Sequence, residues 1–568
     1  MLAVFLLLLG QTTAVPRPVP GTRAAVARAL PALERSAKTF VANRSCVSCH
    51  HNILPILTLR LAASRGFRID AAVLENVERK TFRELTTAKA FDDAVQGAGV
   101  GDPTPNDSWL LVAAQVAGLA PDPTNAIYAK RIASWQHDGH WTTSDFRPPH
   151  SSSLFTATAT AVRAIRAYMP GDARQTRERV LADASRWLQQ TAPQSTEDAT
   201  FRLLGLVWAD ASRDDVAAAA TDLQTLQRPG GGWPQLPGYP QDAYSTGEAL
   251  YALHEAGASD TVAWRRGIAF LRSTQAADGT WHVRTRMISP AEVSPPYFET
   301  GFPYKKDEFL SYAGSAWATM ALLSALPQTT TLPPRPQAAG SQAASEVSPL
   351  MLAMPDLAQV TQLIASGADV RYRTPAGYDA VTVAASYRGT ADIVRALLDA
   401  GAEPEPPDSA KARHSPLLFA SMSGDLDTVS LLLARGAKAN PRPNPSGDSP
   451  ISEAITFGRA DVVRALVAAG AKVDLVESSG VNLLHWSTIT NRAEVIPVLA
   501  QAGVDINAID EAGFTPLMYA ATIDFGDTST LRALLAAGAD RRIRNPSGRT
   551  ALQQAQHFGH AQLARALQ

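Results

Sequence analysis

A Gly-Ala pair returns every 33 to 35 residues through the C-terminal part of the chain, at Gly367, Gly401, Gly436, Gly470 and Gly538, with Gly503-Val504 in the remaining place. Ahead of the later glycines stand Ser415-Pro416-Leu417, Ser449-Pro450-Ile451 and Thr515-Pro516-Leu517, with Asn482-Leu483-Leu484-His485 and Thr550-Ala551-Leu552 as degenerate copies. Between phrase and glycine runs an apolar segment such as Asp461-Val462-Val463-Arg464-Ala465-Leu466-Val467. Ser or Thr caps the first helix of each unit, and Pro is tolerated at its first position. The glycine adopts the left-handed conformation that ends the second helix. A pair of short helices cannot bury its own apolar face, so neighbouring units must stack.

These phrases resemble the ankyrin repeat, over residues 348–568 and in about seven copies with a degenerate first one. The resemblance implies a protein-binding solenoid that offers its hairpin loops and concave groove to a protein partner. His485 takes the place of the family's structural histidine, which hydrogen-bonds within the repeat. Arg541, Arg542 and Arg544 fall on a loop and read as a solvated face.

Residues 327–347 are rich in Pro, Thr, Gln, Ala and Ser and read as a flexible or semi-extended linker. Before it, residues 23–326 form a second helical array with little strand-like alternation. Nine of the ten tryptophans lie before the linker, and Trp486 lies after it. Three turn phrases each end in one: Trp135 to Trp141, Gln227 to Trp233, and Gln275-Ala276-Ala277-Asp278-Gly279-Thr280-Trp281. Asp-Gly makes the turn, and the indole is large enough to join adjacent hairpins. The phrases resemble the repeat of the squalene–hopene cyclase and prenyltransferase superfamily, which implies an α/α toroid of ten to twelve helices. The fold expected is therefore all-α, a toroid followed by an ankyrin solenoid.

The sharpest local motif is Cys46-Val47-Ser48-Cys49-His50, a C-x-x-C-H. It resembles the attachment site of c-type cytochromes, which implies haem c bound through Cys46 and Cys49, with His50 as axial iron ligand and a possible redox partner. No methionine follows until Met169, so a distal ligand would come from His137, His140 or His150, or the site would be open. The same residues also allow a Cys46–Cys49 disulfide or dithiol in a haem-free scaffold, or another metal held with His50 and His51. These are the only two cysteines, which excludes a wider disulfide framework.

Asp242-Ala243-Tyr244-Ser245-Thr246-Gly247-Glu248 resembles the segment where class II triterpene cyclases carry their acidic motif. Tyr244 and Ser245 replace two of its acids and are far too weakly acidic to protonate an alkene. Asp242 remains, and it also reads as a helix cap. Zinc prenyltransferases of the same fold place a cysteine on the cavity wall, and here both cysteines precede the repeats. No catalytic residue is assigned; an isoprenoid-binding or cyclase-like role stays as an alternative. Asp214-Asp215 and Asp307-Glu308 read as helix-start acids.

Residues 1–14 resemble a secretory signal peptide, with an apolar run and small residues at the cleavage site. Export to the periplasm or beyond is the expectation. No later stretch is long and apolar enough to span a membrane. A formal charge of −1 and a pI near 6.8 give no electrostatic footprint for nucleic acid.

Overall fold

The computed structural model describes residues 21–45, 47–99, 103–150, 152–287, 299–335, 345–405, 412–441, 447–476 and 479–568. The expected signal segment and Cys46 lie outside the described residues. Among the described residues the named elements are helical apart from a two-residue ladder that pairs Trp233 with Asp242 and Pro234 with Gln241.

The N-terminal half contains α1 (Thr22–Asn43), α2 (Leu54–Ser64), α3 (Ala71–Thr81), α4 (Arg83–Thr86), α5 (Ala90–Gln96), α6 (Ser108–Val116) and α7 (Pro123–Ser134). It continues with α8 (Leu154–Tyr168), α9 (Arg174–Gln190), α10 (Thr196–Trp208), α11 (Arg213–Thr225), α12 (Ala243–Glu255), α13 (Val262–Thr274) and α14 (Glu308–Ser324). Six of these pack in a circuit: α2 on α6, then α8, α10, α12 and α14, which returns to α2. Other helices pack against its members: α1 on α14 with α3 on α1, α7 and α9 on α8, α11 on α10 and α13 on α12. The inner helices α6 and α14 are apolar on all sides and buried along nearly their whole length, as helices enclosed by others must be.

The turn-phrase tryptophans explain how hairpins join. Trp141, Trp233 and Trp281 are fully buried. Each indole N–H donates to a carbonyl of the preceding outer helix or its end: Ile132 (2.6 Å), Leu223 (2.8 Å) and Leu271 (2.8 Å). Each backbone N–H donates to a hydroxyl on the following inner helix, from Thr158, Thr246 and Ser315 at 2.9 to 3.2 Å. One residue type thus ties three successive outer helices to three inner ones. Gly279 has φ +89°, and a Cβ there would lie 2.1 Å from the carbonyl oxygen of Arg28, so the last turn closes directly on α1.

After α14 the chain is bound to the ring. The N–H groups of Thr329 and Arg335 donate to the carbonyls of Ser64 and Ala117, and Arg335 pairs with Glu78 at 2.8 Å. The first part of the proline-rich segment is therefore an extended strap; residues 336–344 lie outside the described residues.

The C-terminal half is a run of seven helix pairs: α15 (Pro349–Leu352) with α16 (Leu357–Ala365), α17 (Ala380–Ala385) with α18 (Ala391–Asp399), α19 (Pro416–Ser423) with α20 (Leu426–Ala434), and α21 (Pro450–Thr456) with α22 (Ala460–Ala468). Then come α23 (Leu483–Ile489) with α24 (Ile496–Gln501), α25 (Pro516–Thr522) with α26 (Ser529–Ala536), and α27 (Ala551–Phe558) with α28 (Ala561–Leu567). Ser415, Ser449, Thr515 and Thr550 cap first helices through their side chains. The six repeat glycines have φ between +82° and +99°. His485 hydrogen-bonds Asn482 (2.8 Å) and the Phe514 carbonyl (3.0 Å), linking one repeat to the next.

The first helices of these pairs, with the loops that follow them, are docked on the N-terminal half. Trp135 donates its indole N–H to the Ser386 carbonyl (2.9 Å), and Arg131 reaches the Ser386 hydroxyl (3.2 Å). Arg459 bridges the Met422 carbonyl and Thr142, Arg492 the carbonyls of Thr456 and Thr143, and Arg286 Gln235 and the Asp524 carbonyl. Trp135 packs edge-on to Phe457 and Phe146 to Trp486. Met287 and Ile523 form an antiparallel bridge across the junction.

Candidate functional site

The C-x-x-C-H motif leads into the ring. Cys49 is partly exposed and opens a π-helical turn, Cys49–Ile53, capped by the Ser48 hydroxyl. His50 and His51 point inward, 2 % and 0 % exposed. His51 is stacked between Phe40 and Tyr312, with ring centroids 4.8 and 3.9 Å away, and its Nε2 is 3.2 Å from the Ser36 hydroxyl. Ser36 continues to Thr300 (2.5 Å), and Thr300 donates to Glu308. His50 shares a hydrogen bond with His51 through their Nδ1 atoms and is edge-on to Phe40, Phe309 and His150.

A second polar chain lies beyond His150. The Tyr244 hydroxyl donates to Glu197 Oε2 (2.7 Å) and lies 3.1 Å from His150 Nδ1. Thr156 donates to Glu197 Oε1 (2.7 Å). Glu248, one turn after Tyr244 on α12 and 0 % exposed, has no hydrogen-bond partner at either carboxyl oxygen and lies near Glu197. Burial and the neighbouring Glu197 carboxyl raise Glu248 well above its ordinary value. Burial raises Glu197 as well and lowers His150. His50 is held well below its usual value and His51 is lowered to about 3, both by burial first. All three imidazoles are therefore neutral at pH 7.

Of the residues singled out from sequence, Cys49, His50 and His150 come together, while Cys46 lies outside the described residues. His137 and His140 face a different region, bridged to each other, and His140 stacks on Trp187. The rings around His50 close on it from four sides, and with 2 % of its surface reachable these residues, as they stand, do not fit a porphyrin beside it. Among the described residues no group of three or more His, Cys, Asp or Glu is arranged to hold a metal ion. Asp242 caps α12 through the Ser245 N–H (2.9 Å), accepts from Gln235, and is raised to about 6 by burial.

Glu197 also reaches the floor of a cleft of about 860 Å³ between the two halves. One wall comes from residues 137–155 and 187–198, the other from the loops after α19, α21, α23 and α25. Sequence reasoning missed Glu197 and Glu248. The one signal was the i, i+4 spacing of Tyr244 and Glu248, which puts both on one face of α12.

The stacked helix pairs, their capped first helices and their left-handed glycines define an ankyrin solenoid. Family models for ankyrin repeats match residues 350–443, 383–477 and 451–525, and a single-repeat model matches 512–546. Through this region the chain belongs to the ankyrin-repeat family. It is 39 % identical over 103 residues to Protein PhlB of Serratia liquefaciens, covering 18 % of this chain and 44 % of that protein. It is 32 % identical over 104 residues to cyclin-dependent kinase 4 inhibitor B of Rattus norvegicus, 18 % of this chain and 78 % of the relative. The chain thus spans less than half the length of the first relative. A solved structure, the human ASB11 ankyrin repeat domain, aligns with 26 % identity and a TM-score of 0.34, covering 39 % of this chain and 98 % of that one.

Proposed function

We propose that this protein is a haem-free, ankyrin-repeat binding protein that engages a protein partner through the row of hairpin loops. The helical half is its docked scaffold, an α/α toroid in the sense the tryptophan repeat implies. One observation carries this. The helix face of the solenoid is occupied by the chain's own N-terminal half, while the loop row carries Tyr372, Val476 and Ile509, exposed by 37 %, 62 % and 56 %. Val476 and Ile509 are 33 residues apart, so they occupy the same position in successive repeats and expose apolar side chains side by side in sequence register along the loop row.

The test is a comparison of baits in extract of the source cells. Full-length protein is expected to retain a specific protein that the Val476→Asp/Ile509→Asp variant does not, with unchanged thermal unfolding of the bait. Equal retention by both would refute the loop-row reading. A haem band in the purified protein would refute the haem-free part alone.

A further inference from the structure

We propose that a small monovalent anion, chloride in ordinary media, binds where the ring meets the second and third repeats, among Arg131, Tyr378 and His414. The argument begins with a charge. Arg131, on α7, is 0 % exposed. Among the described residues its guanidinium bonds only uncharged groups: Nε the Ser386 hydroxyl (3.2 Å), and Nη2 the carbonyls of Ala94 (2.8 Å) and Val95 (3.3 Å). Those carbonyls end α5, so the helix dipole answers part of the charge. Nη1 has no hydrogen-bond partner. A fully buried guanidinium is ordinarily paired with an anion, and its N–H groups are ordinarily bonded.

Two more orphaned groups belong to the same spot. Tyr378 Oη and His414 Nδ1 lack a partner, in residues 2 % and 3 % exposed. A Cβ on Gly97 would lie 3.6 Å from Arg131 Nη2 and 2.9 Å from the Phe419 ring, and His414 lies on that ring at 4.4 Å. Thr374 exchanges backbone and hydroxyl bonds with Tyr378 and donates to Gln96, the neighbour of Gly97, at 2.7 Å. The charges facing His414 are the guanidiniums of Arg131 and Arg413; those facing Tyr378 are the same two and the Asp93 carboxylate. The spot is therefore net positive. Burial holds His414 down to about 3, so its imidazole is neutral and can carry its hydrogen on Nδ1. Arg131 Nη1 can only donate, and the other two can donate with it. A water molecule would satisfy the hydrogen bonds and leave the charge unanswered, whereas an anion answers both. Walls exposed by 3 % or less admit a small ion. Arg131 comes from the ring, Tyr378 precedes α17 and His414 precedes α19, so the ion joins three elements across the junction.

The experiment compares thermal unfolding of the full chain in sodium chloride and in sodium gluconate at equal ionic strength, with bromide-soaked crystals as the direct probe. Chloride is expected to raise the midpoint by on the order of 2 °C, with a gain that grows with its concentration. Bromide is expected to give an anomalous peak in contact with Arg131 Nη1. Tyr378→Phe keeps the ring and removes one donor, and should require about tenfold more chloride for the same gain. Arg131→Gln should abolish the chloride dependence; if that chain does not fold, the Tyr378 variant and the bromide peak decide. Equal midpoints in the two salts with no bromide peak overturn the proposal. A chloride gain that is undiminished in Tyr378→Phe is a general salt effect and overturns it as well. A bromide peak without a chloride gain marks an adventitious ion only, with the same consequence.

Discussion

Replacing Glu248 by glutamine is expected to stabilise the helical ring at pH 7 and to leave it nearly unchanged at pH 4. Glu248 is fully buried and raised well above its ordinary 4.5 by burial and by Glu197. Between pH 4.5 and its folded value, the folded chain keeps a proton that the unfolded chain has released. The stability tied to that proton is complete below pH 4.5 and is lost as the pH rises through the folded value. Each pH unit in this window corresponds to about 1.4 kcal/mol. A Glu248 that keeps its proton above pH 4.5 therefore lowers stability as the pH rises toward 7. Glutamine fills the same space without taking up a proton, so a gain on the order of 1–3 kcal/mol is expected at pH 7. Urea unfolding followed by tryptophan fluorescence reports on the ring, since nine of the ten tryptophans lie in it. The reasoning fails if the variant is no more stable than the parent at pH 7, or if the gain is as large at pH 4.

His51 should show the opposite dependence. Its value is lowered to about 3, so its contribution is present above pH 6.5 and is lost as the pH falls toward 3. His51→Phe should flatten that part of the pH–stability curve, and an equally steep acid limb would refute it. Trp233→Ala removes a fully buried indole and its bond to the Leu223 carbonyl. A loss of about 3–5 kcal/mol in ring stability is expected by urea titration, and under about 1 kcal/mol would show that the turn tryptophans do not join the hairpins.

The repeat architecture was legible because its units are local. A cap, a proline and a left-handed glycine lie within 35 residues of one another, and stacking follows from the exposed apolar face of each pair. The tryptophan phrases were legible for the same reason: Trp233 finds both of its partners, Leu223 and Thr246, within 13 residues. The polar cluster was half legible. Cys49 and His50 stand in a motif, but Glu197 sits in the first turn of α10, where acids ordinarily serve the helix dipole. Its partnership with Tyr244 and Glu248 depends on how α10 and α12 cross. Docking of the solenoid was not legible at all. Arg286, Arg459 and Arg492 resemble any surface arginines until groups distant in sequence, the Asp524 carbonyl, the Thr142 hydroxyl and the Thr143 carbonyl, are brought to them. The groove expected to stand open to a partner is, along its helix face, already engaged.

That engagement is the central claim, and a cross-link tests it most directly. Met287 and Ile523 face each other in an antiparallel bridge, a spacing that suits a disulfide. In a Cys46→Ser/Cys49→Ser background, Met287→Cys/Ile523→Cys is expected to oxidise within one chain to near completion. The product should migrate faster without reductant, and its cross-linked peptide should appear by mass spectrometry. If the two thiols stay reduced, or pair only between chains, the solenoid does not rest on the ring and the account is contradicted.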